Sequence, residues 1–159
     1  MKNDAVFSKC KKYRYALWRT WDSTRPYAMF IGLNPTAADA VSNNPTINRC
    51  IGFAKSWGYG GLCLTNLFAY LSAQPTGLRA AKDPIGPDND QWLERLAKDA
   101  GIIIAAWGND GCLLKRSHAV ATSISNLHCL KINKSGEPAH PLYQPGSAGP
   151  IPFVYSPQK

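Results

Sequence analysis

The run Ile102-Ile103-Ile104-Ala105-Ala106-Trp107 places six apolar residues in succession with no polar one between them. A strand with one solvated face alternates polar and apolar residues, so this run reads as a strand covered on both faces. Six residues are too few to cross a bilayer as a helix. Cover on both faces calls for helices above and below a sheet.

Elsewhere the apolar period switches repeatedly, as alternating strands and helices require. Tyr13, Tyr15 and Leu17 alternate with polar or small neighbours and predict an N-terminal strand. Asp22-Ser23-Thr24-Arg25-Pro26 turns the chain into a strand over residues 27–33, its expected antiparallel neighbour. Asn44 followed by Pro45 signals a helix start. Ile47, Ile51, Phe53 and Ala54 give that helix an apolar face, and Gly58 stops it. A second strand is expected over residues 62–68, then a polar connection over 71–87 with one helical turn near 78–81. A helix over 88–100 precedes the apolar strand at 102. Residues 113–124 read as a helix and 127–132 as a fourth strand, before an irregular tail rich in Pro, Gly and Ser from about 133.

The predicted fold class is α/β: three layers, α/β/α, around a mostly parallel central sheet of about four strands, plus an N-terminal antiparallel strand. At 159 residues without repeat or composition break, one domain over residues 1–159 is expected.

Lys and Arg number 18 against 10 Asp and Glu, a net charge of +8 that favours a polyanionic partner, DNA above all. Residues 1–25 concentrate this charge in Lys2, Lys9, Lys11, Lys12, Arg14, Arg19 and Arg25; the structural alternative is a solvated face. Cys10, Cys50, Cys63, Cys112 and Cys129 are odd in number and form no CxxC pair. They read as reduced, mostly buried thiols of a cytoplasmic protein with no metal site, no cofactor and no membrane partner. A monomer is expected.

In parallel sheets ligands gather beyond the carboxyl ends of the strands. The four expected exits carry Gly32-Leu33-Asn34-Pro35, then Asn66 with Phe68 and Tyr70 after it, then Trp107-Gly108-Asn109-Asp110, and finally Lys131 to Lys134 leading to His140-Pro141-Leu142-Tyr143. Asn34 and His140 each have a structural alternative, a turn residue and a backbone-bonded imidazole. Asn66 sits inside an otherwise apolar strand, where a buried amide needs partners, and a ligand contact is the better reading. Trp57, Trp92 and Trp107 read as core, and His118 and His128 as packing residues. No Ser-His-Asp order, P-loop or GxGxxG is present, which leaves covalent acyl transfer and Walker-type hydrolysis without support.

Trp21-Asp22, FIGLNPTAADA (residues 30–40), NNPTINRCIGFAKSWGYGGL, TNLFAY, DPIGPDND, AAWGNDG and SGEPAHPLY together resemble a bacterial and phage family known only as a domain of unknown function, over residues 14 to about 143. More distantly, the order of elements resembles the uracil-DNA glycosylase superfamily. Gly32-Leu33-Asn34-Pro35 is similar to its first motif, Leu64-Thr65-Asn66-Leu67 to its middle strand, and His140-Pro141-Leu142-Tyr143 to its second motif. Leu142 stands where that motif has Ser, Thr-Ala-Ala-Asp follows Pro35 where glycines are usual, and the cysteines of the iron–sulfur branches have no counterparts.

This resemblance implies that Asn34 holds the attacking water and His140 donates to the departing base, with Gly32, Leu33, Pro35 and Pro141 of the two motifs as base- or substrate-binding residues. Asn66 offers the donor and acceptor needed to read a pyrimidine edge. Phe68 and Tyr70 are candidates for an aromatic floor, Leu142 and Tyr143 for the wedge that fills the gap left by an extruded base. Lys131, Lys134 and Arg14 are candidates for phosphate contacts. The expected activity is hydrolysis of the N-glycosidic bond of a flipped, possibly modified, base. The alternatives are a non-catalytic nucleic-acid-binding protein of phage defence or counter-defence, and a hydrolase or transferase acting on a free nucleotide.

Overall fold

The structure, a computed structural model, describes residues 1–36, 42–72 and 74–155. The Ala37-Ala38-Asp39 continuation of the first motif lies outside the described residues. Seven strands are seen: β1 (Lys2–Phe7), β2 (Arg14–Thr20), β3 (Tyr27–Gly32), β4 (Gly61–Asn66), β5 (Ile102–Ala105), β6 (Leu127–Cys129) and β7 (Ile151–Pro152). Among the described residues four α-helices accompany them: α1 (Pro45–Ser56), α2 (Pro75–Ala80), α3 (Asn89–Asp99) and α4 (Arg116–Ser123).

All seven strands join one sheet in the order β1-β2-β4-β3-β5-β6-β7. The α/β class holds, with a mixed sheet. The pairings β3–β4, β3–β5 and β5–β6 are parallel; β1–β2, β2–β4 and β6–β7 are antiparallel. Both edges of β3 are taken by β4 and β5, so the N-terminal strand does not lie beside β3 as expected. Instead β2 pairs with the outer edge of β4, with Leu17 opposite Leu64 and Thr20 opposite Gly61. The tail is not wholly irregular either, since Ile151–Pro152 returns to the sheet beside β6. The expected helix from 113 begins at Arg116, because Leu114 and Lys115 take positive φ (53° and 56°) and interrupt the turn.

Alternation along each inner strand sends side chains into two separate cores. Ala28, Phe30 and Ile104 pack with Ile47, Ile51 and Phe53 of α1. Met29, Ile31 and Ile103 pack on the opposite face with Leu93 and Leu96 of α3 and Val120 of α4. The apolar run from Ile102 thus has a physical cause: its residues alternate between two dry layers. Helix α1 starts where the sequence signals it, with the Asn44 side chain accepting from Ile47 N–H at 2.8 Å and Pro45 at the first helical position.

From β3 the chain crosses to β4 on one side, and later to β5 on the other. The strand order therefore reverses at β3, which opens a crevice beyond the carboxyl ends of β3, β4 and β5. Among the described residues no helix is long and apolar enough to cross a membrane.

Candidate functional site

That crevice holds a cavity of about 550 Å³, within the range of small-ligand sites. Gly32, Leu33 and Asn34 from the β3 exit, Asn66 from β4, Trp107 to Asp110 from β5 and His140 with Tyr143 from the loop after β6 line it. Arg14 of β2, with Asn44 and Thr46 at the start of α1, also lines it. Three polar residues separated by 32 and 74 positions in the chain are brought around one hollow because parallel strands end at the same edge.

Asn66 ends β4 directly beside Gly32. It is only 4 % exposed, and its Nδ2 has no hydrogen-bond partner among the described residues. A Cβ on Gly32 would stand 3.0 Å from Asn66 Oδ1, so the glycine makes room for the amide. The strand exit behind it is clamped. Asn89 Nδ2 donates to Asn66 O at 3.0 Å and Leu67 O at 3.1 Å, and Arg116 Nε donates to Leu67 O at 2.8 Å. Arg116 in turn pairs with Asp90 at 2.5 Å. An amide with a rigid backbone and an unanswered buried donor is a feature a ligand would satisfy.

Asn34 uses its Nδ2 on backbone carbonyls, Ser72 O at 2.8 Å and Pro35 O at 3.3 Å. That fixes the amide orientation and leaves Oδ1 as the acceptor it can offer to a water. His140 caps a short 3-10 turn, Pro141–Tyr143, by accepting from Leu142 N–H on Nδ1 at 3.1 Å. An accepting Nδ1 puts the proton of the neutral ring on Nε2, a donor. Burial lowers the His140 pKa below its ordinary value, which favours this neutral, donating form.

The loop carrying His140 is tied to the β5 exit. Asn109 Oδ1 accepts from Asn133 Nδ2 at 3.0 Å and from Ser135 Oγ at 2.7 Å. Gly108 (φ +76°) makes the sharp departure from β5. Trp107 Nε1 donates to Glu137 Oε1 at 3.4 Å, and Gly111 lets the indole lie flat, since a Cβ there would overlap the ring. Burial raises the pKa of the Glu137 carboxyl, with the Trp107 hydrogen bond opposing the shift.

Other sequence candidates fall elsewhere. Phe68 is fully buried in the core beneath α3 and does not line the cavity, so it supplies no floor there. Tyr70 bridges to Tyr13, with ring centroids 5.8 Å apart, outside the cavity. Trp107, read as core, is both core and cavity wall. Arg14, a candidate for phosphate contact, is buried on that wall rather than displayed on the surface. Lys131 and Lys134 are exposed and outside the lining. Pro35 and Pro141 are buried turn residues. Leu142 is exposed beside the cavity, and Tyr143 is 80 % exposed with its ring 5.7 Å from that of His140.

Asn89, Arg116 and Glu137 escaped the sequence reading. Asn89 lies in DPIGPDND, where only its helix-start character was legible. A larger hollow of about 720 Å³ lies at the opposite strand ends, between α3 and the segment 123–126. None of its lining side chains holds a buried polar atom without a partner, so it lacks the chemical signature of the first. Among the described residues no group of three or more His, Cys, Asp or Glu is placed to hold a metal ion.

A family model described as a protein of unknown function (DUF1643) matches residues 14–142. No curated protein and no solved structure matches the chain.

Proposed function

The chain belongs to the DUF1643 family, a membership that names no reaction; from the cavity, we propose that it is a DNA glycosylase-like enzyme hydrolysing the N-glycosidic bond of a base extruded from DNA. The observation that carries this reading is the meeting of Asn34, Asn66 and His140 on one cavity, with a buried Asn66 donor awaiting an acceptor. In this reading the crossovers around β3 belong to a three-layer, uracil-DNA-glycosylase-like arrangement, and the +8 charge serves DNA.

Each residue then has a task. Asn66 Nδ2 donates to a ring acceptor and orients the base. As the bond to the sugar breaks, its electron pair leaves with the base, and His140 Nε2–H stabilises the negative charge that gathers on the base oxygen. The sugar becomes oxocarbenium-like, and a water that donates to Asn34 Oδ1 attacks its anomeric carbon, the proton it sheds passing through solvent while the base anion takes one up. A neutral amide is adequate, because this attack needs positioning more than deprotonation.

Incubation with DNA bearing uracil, modified pyrimidines or mismatches, followed by alkali, tests the reading. Strand cleavage that disappears in Asn34→Ala and His140→Ala supports it; no cleavage across the panel refutes it.

One observation favours a second reading, nucleic-acid binding without chemistry. Both amide hydrogens of Asn34 are committed to carbonyls, as in a residue that simply holds a turn. That reading expects DNA affinity whose logarithm falls linearly with log salt, and no released base.

A further inference from the structure

We propose that the N-terminus of α1 is a phosphate subsite of the same cavity, so that the ligand taken here is a nucleotide rather than a bare base or nucleoside. The inference rests on the cavity being the ligand site, and it specifies what else the ligand must carry.

Helix α1 is twelve residues long and its first turn reaches the cavity through Asn44 and Thr46. Its first turn holds no acidic residue that would occupy the positive end of the helix dipole. Pro45 brings no N–H and Asn44 Oδ1 already takes that of Ile47, so Thr46 supplies the first-turn N–H and a hydroxyl at the wall. That one N–H, at the positive end of the helix dipole and beside a hydroxyl, suits a phosphate oxygen.

The independent sign of a ligand is Asn66. It lines the same hollow, is 4 % exposed, and keeps its Nδ2 hydrogens without an acceptor among the described residues. A ring acceptor at Asn66 and a phosphate at Thr46 would together use a cavity of about 550 Å³, more room than a lone pyrimidine needs.

The test is an amide NMR titration of the full chain with 2′-deoxyuridine, its 5′-monophosphate, inorganic phosphate and an oligothymidylate. The expected result is that the monophosphate moves the Thr46 backbone and Asn66 side-chain signals and binds roughly tenfold or more tighter than the nucleoside, the value of one hydrogen bond to a charged group. Inorganic phosphate should move Thr46 alone. Thr46→Glu should abolish the preference for the phosphorylated ligand while leaving the melting temperature unchanged or higher, because an acid in the first turn suits the helix dipole.

Equal binding of nucleoside and monophosphate overturns the subsite, as does an unchanged preference in Thr46→Glu or silence at both signals. Displacement of the monophosphate by oligothymidylate assigns the phosphate to a DNA strand; monophosphate binding that the oligomer leaves untouched assigns it to a free nucleotide. Failure of base release from DNA with the phosphate preference intact removes the glycosylase reading and leaves the subsite standing.

Discussion

Replacing Gly32 with Ala should separate ligand handling from stability. Gly32 is not among the positive-φ glycines, so alanine fits its backbone. The added Cβ meets Asn66 Oδ1 at 3.0 Å, and the next atom, Thr65 O, at an ordinary 3.8 Å. Asn66 alone has to retreat, by a few tenths of an ångström. An off-rotamer adjustment of that kind costs about 0.5–1.5 kcal/mol. Loss of glycine freedom in the unfolded chain returns about 0.4–1 kcal/mol. The net change therefore stays within about 1 kcal/mol, a shift of roughly 2–4 °C in Tm for a chain this size. The ligand meets an amide displaced by a few tenths of an ångström; with a 1 Å misplacement costing on the order of a hundredfold in rate, this shift should cost roughly three- to tenfold. Thermal unfolding and base release, measured on the same preparation, check this. A variant with full activity would show that Asn66 is not what the ligand touches. A variant that loses more than about 3 kcal/mol would show that the space around Gly32 serves packing instead.

Three further outcomes are expected. Asn66→Leu should stabilise the ligand-free protein by about 1–2 kcal/mol in chemical denaturation, because it removes an unanswered buried donor, while abolishing ligand binding. Arg116→Met should cost about 1.5–3 kcal/mol by removing the charged one of the two donors to Leu67 O, whereas Asp90→Ala, whose side chain is 67 % exposed, should cost less than about 1 kcal/mol by the same measurement. Glu137→Gln should stabilise the protein at neutral pH. Its folded pKa is raised by burial, so the wild-type carboxyl favours the folded state below its unfolded pKa and loses that advantage as pH rises through the folded one. The gain from glutamine should shrink as pH falls toward the ordinary carboxyl range, and denaturation curves across pH 4 to 8 would show it.

What the sequence disclosed follows from which forces are local. The buried strand at Ile102 and the helix starting at Asn44-Pro45 were legible because apolar period and capping chemistry are written in consecutive residues. The position of β2 was not, since alternation in Tyr13, Tyr15 and Leu17 says that a strand exists but not which edge is vacant. Asn34, Asn66 and His140 could be singled out as strand-exit residues, and the reversal of strand order at β3 is what gathers them. Phe68 was misplaced because an aromatic two residues after Asn66 looks available in sequence, whereas Leu67 and Phe68 both turn into the core. The burial of Arg14 is not legible because nothing local distinguishes a buried arginine from a solvated one. Asn89, Arg116 and Glu137 act through distant backbone or ring partners, and such pairings have no local signature.

The central claim is that Asn34 and His140 act on one bound nucleotide. Single-turnover base release should be measured for wild type, Asn34→Ala, His140→Ala and the double variant on the substrate that the wild type cleaves. Groups serving one transition state are non-additive, so the double variant should lose little more rate than the worse single one. Single variants that each retain the wild-type rate, or a wild type that releases no base from any DNA, would contradict the account.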